Sequence, residues 1–91
     1  MSGPLADLVV VDVATLNGAP QIATFFADLG ARVVKVEHPR GDPLRQLVDE
    51  TGAALQWKLA NRNKACVTLD VAAAEGRGLL ERLLDRADVL V

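Results

Sequence analysis

Apolar and polar positions along the chain alternate between the period of a strand and the period of a helix. Leu8 to Val13 is apolar except for Asp12, which favours a strand buried on both faces of a parallel sheet. Pro20 suits the first position of a helix, because its fixed φ is helical and its missing N–H needs no partner there, and the pattern predicts a helix over Gln21 to Leu29. Arg32 to Glu37 is rich in β-branched residues and predicts a second strand. The resulting β-α-β unit of about 30 residues should have a right-handed crossover. The apolar stripe of its helix consists of Ile22, Phe25, Phe26 and Leu29.

The second half of the chain continues this alternation. His38 to Glu50 contains two prolines, a glycine and alternating charges, which predicts a surface loop leading into a short helix near Leu44 to Val48. The remaining pattern predicts a helical turn or two over Ala53 to Ala60, a strand over Ala65 to Leu69, a helix over Ala73 to Asp85 with Leu79, Leu80, Leu83 and Leu84 facing inward, and the beginning of a fourth strand at Val89 to Val91. Strands alternating with helices predict an α/β fold, an open, mostly parallel, Rossmann-like sheet with flanking helices. A final strand with no segment to cover it indicates the N-terminal part of a larger protein.

Composition limits the function classes. The 91 residues are enough for one small domain with one core, and an aromatic content of 3% means that Val, Leu and Ala must build that core. A formal net charge of -2 gives no electrostatic footprint for nucleic acid. The chain has no apolar run near the roughly 20 residues that a membrane helix needs and no export signal. With one cysteine and one histidine, Cys66 and His38, neither a disulfide nor a structural zinc site is expected, and we expect a soluble, cytoplasmic protein without metal.

Two stretches carry residues whose placement needs an explanation. The sequence NRNK, residues 61–64, puts two amides and two cations directly before a predicted strand. Its asparagines could be turn formers and its cations solvated charges, or the four could bind a ligand that carries phosphates and amides. Asp12 lies within an apolar strand, where a buried carboxylate must be paired or hydrogen-bonded, and we expect it to accept N–H groups of the following loop. Cys66 is interpreted as inert packing in an apolar strand rather than as a nucleophile.

The chain resembles the N-terminal segment of the family III CoA-transferases. The resemblance covers essentially all 91 residues and is carried, in order, by GPLADLVVVDVATL, NGAP, ADLGARVVKVEHPRGDPLR, NRNKACVTLDV and AAEGRGLLERLLDRADVLV. It implies that residues 1–91 are the N-terminal part of a Rossmann-like CoA-binding domain, that the longer protein forms an interlocked homodimer, and that it moves CoA between an acyl-CoA and a small carboxylate. The nucleophilic aspartate of the family would lie beyond Val91, so the resemblance implies no catalytic residue in this chain.

The resemblance also implies a set of contacts to CoA. The positions of Asn17 and Gly18 approach the thioester end in the family, and those of Leu69 to Ala72 line the adenosine end. His38 stands where members often have Arg, which forfeits a permanent charge and a bidentate fork, and Ala72 stands where many have Lys. Arg40 or Arg45 could compensate. The implied CoA-binding residues are Asn17, Gly18, His38, Arg40, Arg62, Lys64, Leu69, Asp70 and Ala72.

Two other functions fit the same pattern of elements. One is a catalytically inactive or truncated module of this fold that associates with a partner. The other is an NAD-binding domain, because Glu37 ends the second strand about 20 residues after the first loop, where a dinucleotide fold places its ribose acid. The first loop, TLNGAPQ, lacks the G-x-G-x-x-G pattern that this fold requires.

Overall fold

The computed structural model describes residues 3–16 and 18–91 of the chain. Four parallel strands form one sheet in the order β3-β2-β1-β4, which confirms the predicted α/β class. The elements are β1 (Val9–Asp12), α1 (Gly18–Asp28), β2 (Arg32–Glu37), a 3₁₀ helix (Pro43–Gln46), α2 (Leu55–Ala60), β3 (Lys64–Thr68), α3 (Ala74–Leu84) and β4 (Val89–Leu90).

Helices cover both faces of the sheet. In the register, Val10 of β1 is level with Val33 of β2, which is level with Lys64 of β3, so these three side chains share one face. α1 packs on that face through Ala23 and Ala27. α3 lies on the other face, next to Val67. The chain adds β2 and β3 on one side of β1 and then returns to add β4 on the other side. The strand order therefore reverses between β1 and β4, and at such a point doubly wound sheets leave a crevice at the carboxyl ends of their strands.

Small side chains form the contact between α1 and the sheet. Ala23 and Ala27 are buried against Val10 and Val33, which lets the helix axis come close to the strands. The predicted stripe was wrong for three of its four members, since Ile22, Phe25 and Leu29 are 53%, 68% and 47% exposed. Only Phe26 packs against the core, and it is half-buried. A stripe of bulky apolar residues and a stripe of small residues both fit the helical period. The small stripe is the buried one, because only small side chains allow close packing of the helix on the valine-rich strands.

The packing of α3 also differs from the prediction. Leu79 is exposed, while Leu80, Leu83 and Leu84 are half-buried, so none of the four leucines enters a core. The buried residue of α3 is Gly76, where an added Cβ would lie 1.9 Å from the carbonyl oxygen of Asp70. The glycine therefore allows the first turn of the helix to touch the loop that follows β3.

β3 is an edge strand with an exposed surface. All its residues after Lys64 are exposed, and the predicted core position of Cys66 was wrong because the residue is itself exposed on this edge strand. None of the helices in residues 3–16 and 18–91 is long and apolar enough to cross a membrane.

Candidate functional site

The carboxyl edge of the sheet gathers most of the residues that the resemblance implies. The loop after β1 leads to Gly18, the loop after β2 carries His38 and Arg40, and the loop after β3 contains Leu69 to Ala72. Because the strands are parallel, these three loops lie along one edge. The remaining residue of this group, Asn17, falls outside the described residues.

These loops are held by short local hydrogen bonds. His38 Nδ1 accepts the N–H of Arg40 at 3.0 Å, and Asp70 Oδ1 accepts the N–H of Ala72 at 3.2 Å. The side chains of His38, Arg40 and Asp70 are exposed. The edge thus presents an imidazole, a guanidinium and a carboxylate to solvent on ordered turns.

The NRNK segment lies at the opposite, amino-terminal edge of the sheet, and its last residue, Lys64, is the first residue of β3. Arg62 Nη2 donates to Asp28 Oδ2 at 2.7 Å and Nη1 donates to the Leu59 carbonyl oxygen at 2.7 Å. Asn63 adopts φ 65° and donates to Asp28 Oδ1 at 3.0 Å, as expected for an asparagine that forms a turn. The hydrogen bond from Arg62 holds the pKa of Asp28 below its ordinary value. Arg62 and Asn63 therefore bind the end of α1. The length of β3 separates the segment from Leu69 at the carboxyl edge by about 16 Å.

Lys64 is buried and forms an ion pair. Its side chain has no exposed surface, and Nζ donates to Asp12 Oδ2 at 2.8 Å, to the Pro20 carbonyl oxygen at 2.8 Å and to Asn61 Oδ1 at 3.0 Å. Burial lowers the pKa of Lys64, and the attraction of Asp12 opposes that effect only in part. An ammonium with all three protons donated inside the protein can bind a phosphate only by leaving this site.

Asp12 is the centre of a buried charge cluster. Asp12 Oδ1 accepts the N–H of Ala14 at 2.9 Å, which confirms the expected bond to the following loop. The sequence interpretation missed its two cations, Lys64 and Lys35, the second of which has Nζ 3.6 Å from Asp12 and 3.6 Å from Asp42. We name Asp12, Lys35, Asp42 and Lys64 the buried charge cluster. Its formal charges sum to zero, which satisfies the rule that buried charges must be paired.

A second polar group adjoins this cluster at the end of β2. Glu37 accepts from both Arg45 Nε and Arg45 Nη2, and its Oε2 accepts the Asp42 N–H at 2.6 Å. The Arg45 guanidinium lies 3.9 Å from the centre of the buried Trp57 ring, with Lys35 Nζ at 5.8 Å. Because Glu37 is buried and engaged in this way, the carboxylate that the NAD-binding alternative would use for a ribose is not presented to a ligand.

The ionisation of Glu37 makes stability depend on pH. Burial opposes its charge, but the hydrogen bonds from Arg45 and the Asp42 N–H outweigh burial and lower the pKa of Glu37 below its ordinary 4.5. A carboxylate with a lowered pKa in the folded state stabilises that state above the unfolded pKa and loses this contribution as pH falls through the folded pKa. We therefore expect the free energy of unfolding to fall below about pH 4.5, and to fall less steeply in Glu37→Gln. Urea unfolding between pH 3 and pH 7 measures this, with the exposed Glu50→Gln as the matched control. Equal pH slopes for wild type and Glu37→Gln would contradict the assignment.

Neither a reactive cysteine nor a metal site is found among the described residues. Desolvation of the thiol, reinforced by the negative charge of Glu37, raises the pKa of Cys66, so its reactive thiolate form is disfavoured. Within residues 3–16 and 18–91, no group of three or more His, Cys, Asp or Glu side chains could hold a metal ion.

Comparison with characterised proteins identifies relatives along nearly the whole chain. The succinyl-CoA--L-malate CoA-transferase beta subunit of Chloroflexus aurantiacus is 43% identical over 90 residues, which cover 96% of this chain and 22% of the relative. The cinnamoyl-CoA:phenyllactate CoA-transferase of Clostridium sporogenes is 36% identical over 88 residues, 90% of this chain and 21% of the relative. The formyl-CoA:oxalate CoA-transferase of Escherichia coli is 37% identical over 94 residues, 100% of this chain and 23% of the relative. The chain thus spans less than a quarter of the length of each of these relatives.

Solved structures agree with the sequence comparison. A CAIB/BAIF family protein from Brucella suis superimposes with a TM-score of 0.89 at 38% sequence identity, covering 99% of this chain and 25% of that one. Residues 5–91 match the profile of CoA-transferase family III. The order and spacing of strands, loops and helices described above are therefore those of a known group, and the chain belongs to CoA-transferase family III.

Proposed function

We propose that this chain forms part of the CoA site of an enzyme that transfers CoA between an acyl-CoA and a small carboxylate. The observation that carries the proposal is the gathering of three loops at the carboxyl edge of a parallel sheet, beside the point where the strand order reverses, in a chain of this family. That edge is where open α/β sheets bind their ligands. The relatives named above are CoA-transferases.

The proposal assigns the two ends of CoA to different loops. The backbone at Gly18 lies against the thioester end, and residues 69–72, including Leu69, Asp70 and Ala72, lie against the adenosine end. Arg40 supplies positive charge for the phosphates, because a guanidinium can form charge-assisted hydrogen bonds with them. His38, whose Nδ1 accepts the Arg40 N–H, offers them the N–H donor of its other ring nitrogen. Arg62 and Lys64 hold the fold and are not assigned to CoA.

The same proposal leaves the nucleophile outside the described residues. Asp12 and Asp42 are buried and paired with lysines, and Asp28 is engaged by Arg62, so none of the three is presented to a thioester. We propose that the aspartate of the longer protein performs that step. Homodimer formation and a cytoplasmic location belong to the same proposal.

A second candidate function is an association module without catalysis. Phe25 of α1 and Leu59 of α2 are 68% and 65% exposed, and both border a groove of ≈ 390 Å³ between these helices. Exposed apolar side chains of this size favour contact with another protein surface. Such a module would show association without any affinity for CoA.

Calorimetric titration of the chain with CoA tests the proposed site. Arg40→Ala should weaken CoA binding about tenfold, because it removes a hydrogen bond between charged groups. Arg62→Ala is a matched control, since Arg62 is also an exposed arginine but lies at the other edge of the sheet, and its CoA affinity should stay within about twofold of wild type.

Three outcomes would count against the proposal. No heat of binding for the wild-type chain would remove the CoA site from these residues and favour the association module. Equal losses in Arg40→Ala and Arg62→Ala would contradict the placement of the phosphates at the carboxyl edge. A loss in Arg62→Ala alone would move them to the NRNK segment.

A further inference from the structure

Two side chains from outside the loop between β1 and α1 hold that loop. Lys35 Nζ donates to the carbonyl oxygen of Ala14 at 2.8 Å. The carboxylate of Asp42 accepts the Leu16 N–H, with its two oxygens at 3.2 and 3.3 Å. Lys35 lies in β2 and Asp42 in the loop after it, so the neighbouring strand supplies one contact and the loop that follows it supplies the other. We call Lys35 and Asp42 the loop clamp.

Leu16 is the residue that needs such a clamp. Its φ is 64°, in the left-handed region that residues other than glycine enter rarely. The leucine side chain is 49% exposed and has no polar group that could stabilise this conformation locally. Strained backbone persists only where its surroundings over-determine it, and the hydrogen bonds from Leu16 to Asp42 are a contact that does so.

The clamp is itself fixed in position. The side chains of Lys35 and Asp42 are each 1% exposed, with Nζ and Oδ2 3.6 Å apart. Asp42 also caps the 3₁₀ helix by accepting the Leu44 N–H at 2.8 Å, and its own N–H is held by Glu37. Because these partners fix the Asp42 carboxylate, its position determines the position of the Leu16 N–H and of the loop that contains it.

We infer that Lys35 and Asp42 are positioning residues, which hold the loop before α1 at Ala14 and at the strained backbone of Leu16 and so set where the backbone of Gly18 stands. The inference rests on the proposed function, in which Gly18 lies against the thioester end of CoA. Both side chains are buried and touch no ligand, and their effect reaches CoA through the backbone of the loop.

Asp42→Asn tests the clamp. Asparagine has the size of aspartate and keeps one oxygen that can accept the Leu44 N–H. Its NH₂ group is a donor, so it cannot accept from the Leu16 N–H or pair with the Lys35 ammonium. Hydrogen exchange at the Leu16 amide should become at least about tenfold faster, and the amide to α-proton NOE within Leu16, which is strong only at positive φ, should weaken. The Val33 amide in the centre of the sheet reports any global loss of stability. CoA affinity should fall about tenfold.

Asp49→Asn is the matched control. Asp49 Oδ1 likewise accepts backbone N–H groups, from Thr51 at 2.8 Å and Ala53 at 3.0 Å, but these donors belong to its own exposed turn and not to the loop between β1 and α1. Its Leu16 exchange and its CoA affinity should match wild type.

Leu16→Gly in the Asp42→Asn background separates positioning from general support. Glycine adopts positive φ without steric cost, so the double variant should regain much of the CoA affinity that Asp42→Asn loses. Unchanged Leu16 exchange and NOE in Asp42→Asn would overturn the clamp, and so would unchanged CoA affinity or a failure of glycine to restore it. Failure of the wild-type chain to bind CoA would overturn the proposed function alone, because exchange and NOE decide the clamp without ligand.

Discussion

Replacement of Asp12 by alanine is expected to lower the free energy of unfolding by about 3–5 kcal/mol, because it leaves a buried charge without its partner. The Lys64 ammonium would keep only neutral acceptors, the Pro20 carbonyl and the Asn61 amide, and Lys35 would lose one of its two carboxylates. Since domains are stable by only about 5–15 kcal/mol, this loss is a large fraction of the total stability. Urea unfolding followed by circular dichroism measures the loss.

Two controls make this result specific. Asp7→Ala removes an exposed aspartate and should change the free energy of unfolding by less than about 0.5 kcal/mol. The double variant Asp12→Ala with Lys64→Met should be more stable than the sum of the two single losses predicts, because the second substitution removes the charge that the first one stranded. A loss below about 1 kcal/mol in Asp12→Ala, or additive losses in the double variant, would contradict the pairing.

Trp57→Ala is the second substitution with a large expected effect, a loss of about 3–5 kcal/mol. The indole is 7% exposed, and the cations of Arg45 and Lys35 lie over its ring. Its removal opens a cavity beneath the 3₁₀ helix and takes away a cation–π contact together with the cover over a buried lysine. Thermal and urea unfolding measure the loss.

Trp57→Phe keeps an aromatic face in the same place and should cost clearly less than Trp57→Ala. Leu59→Ala provides the surface control, because Leu59 belongs to the same helix and is 65% exposed, and its effect should stay within about 0.5 kcal/mol. Equal effects of Trp57→Ala and Leu59→Ala would show that the indole does not belong to the core.

The order of elements could be predicted because each strand is locally apolar and each helix has its own period. The choice of helix face could not. In α1 the bulky side chains Ile22 and Phe25, three residues apart, and the small ones Ala23 and Ala27, four residues apart, both fit the helical period. Only the distance between helix and sheet decides which set is buried. That distance is a property of the packed protein.

In the candidate site, contacts between sequence neighbours could be predicted and contacts between distant residues could not. The expectation that Asp12 binds the following loop was right because it depends on neighbours in sequence. Its ion pair with Lys64 lies 52 residues away and depends on the register of three strands, which no local pattern contains. A usable signal was present, because Lys35 is a cation within the apolar run RVVKVE just as Asp12 is an anion within the first apolar strand. Two opposite charges in adjacent buried strands indicate an ion pair. The role of the NRNK segment was ambiguous for the same reason, because asparagines and cations suit a ligand and a structural anchor equally well.

The buried charge cluster has a consequence for the order in which the chain folds. β1, α1 and β2 could form first as a local unit, but Asp12 would then have Lys35 at 3.6 Å and would lack the closer ammonium of Lys64. During synthesis Lys64 leaves the ribosome 52 residues after Asp12, so Asp12 Oδ2 lacks its hydrogen-bonded ammonium until β3 docks. Arrival of the third strand thus completes the buried charge cluster and extends the sheet in one step, which couples the folding of residues far apart in the chain.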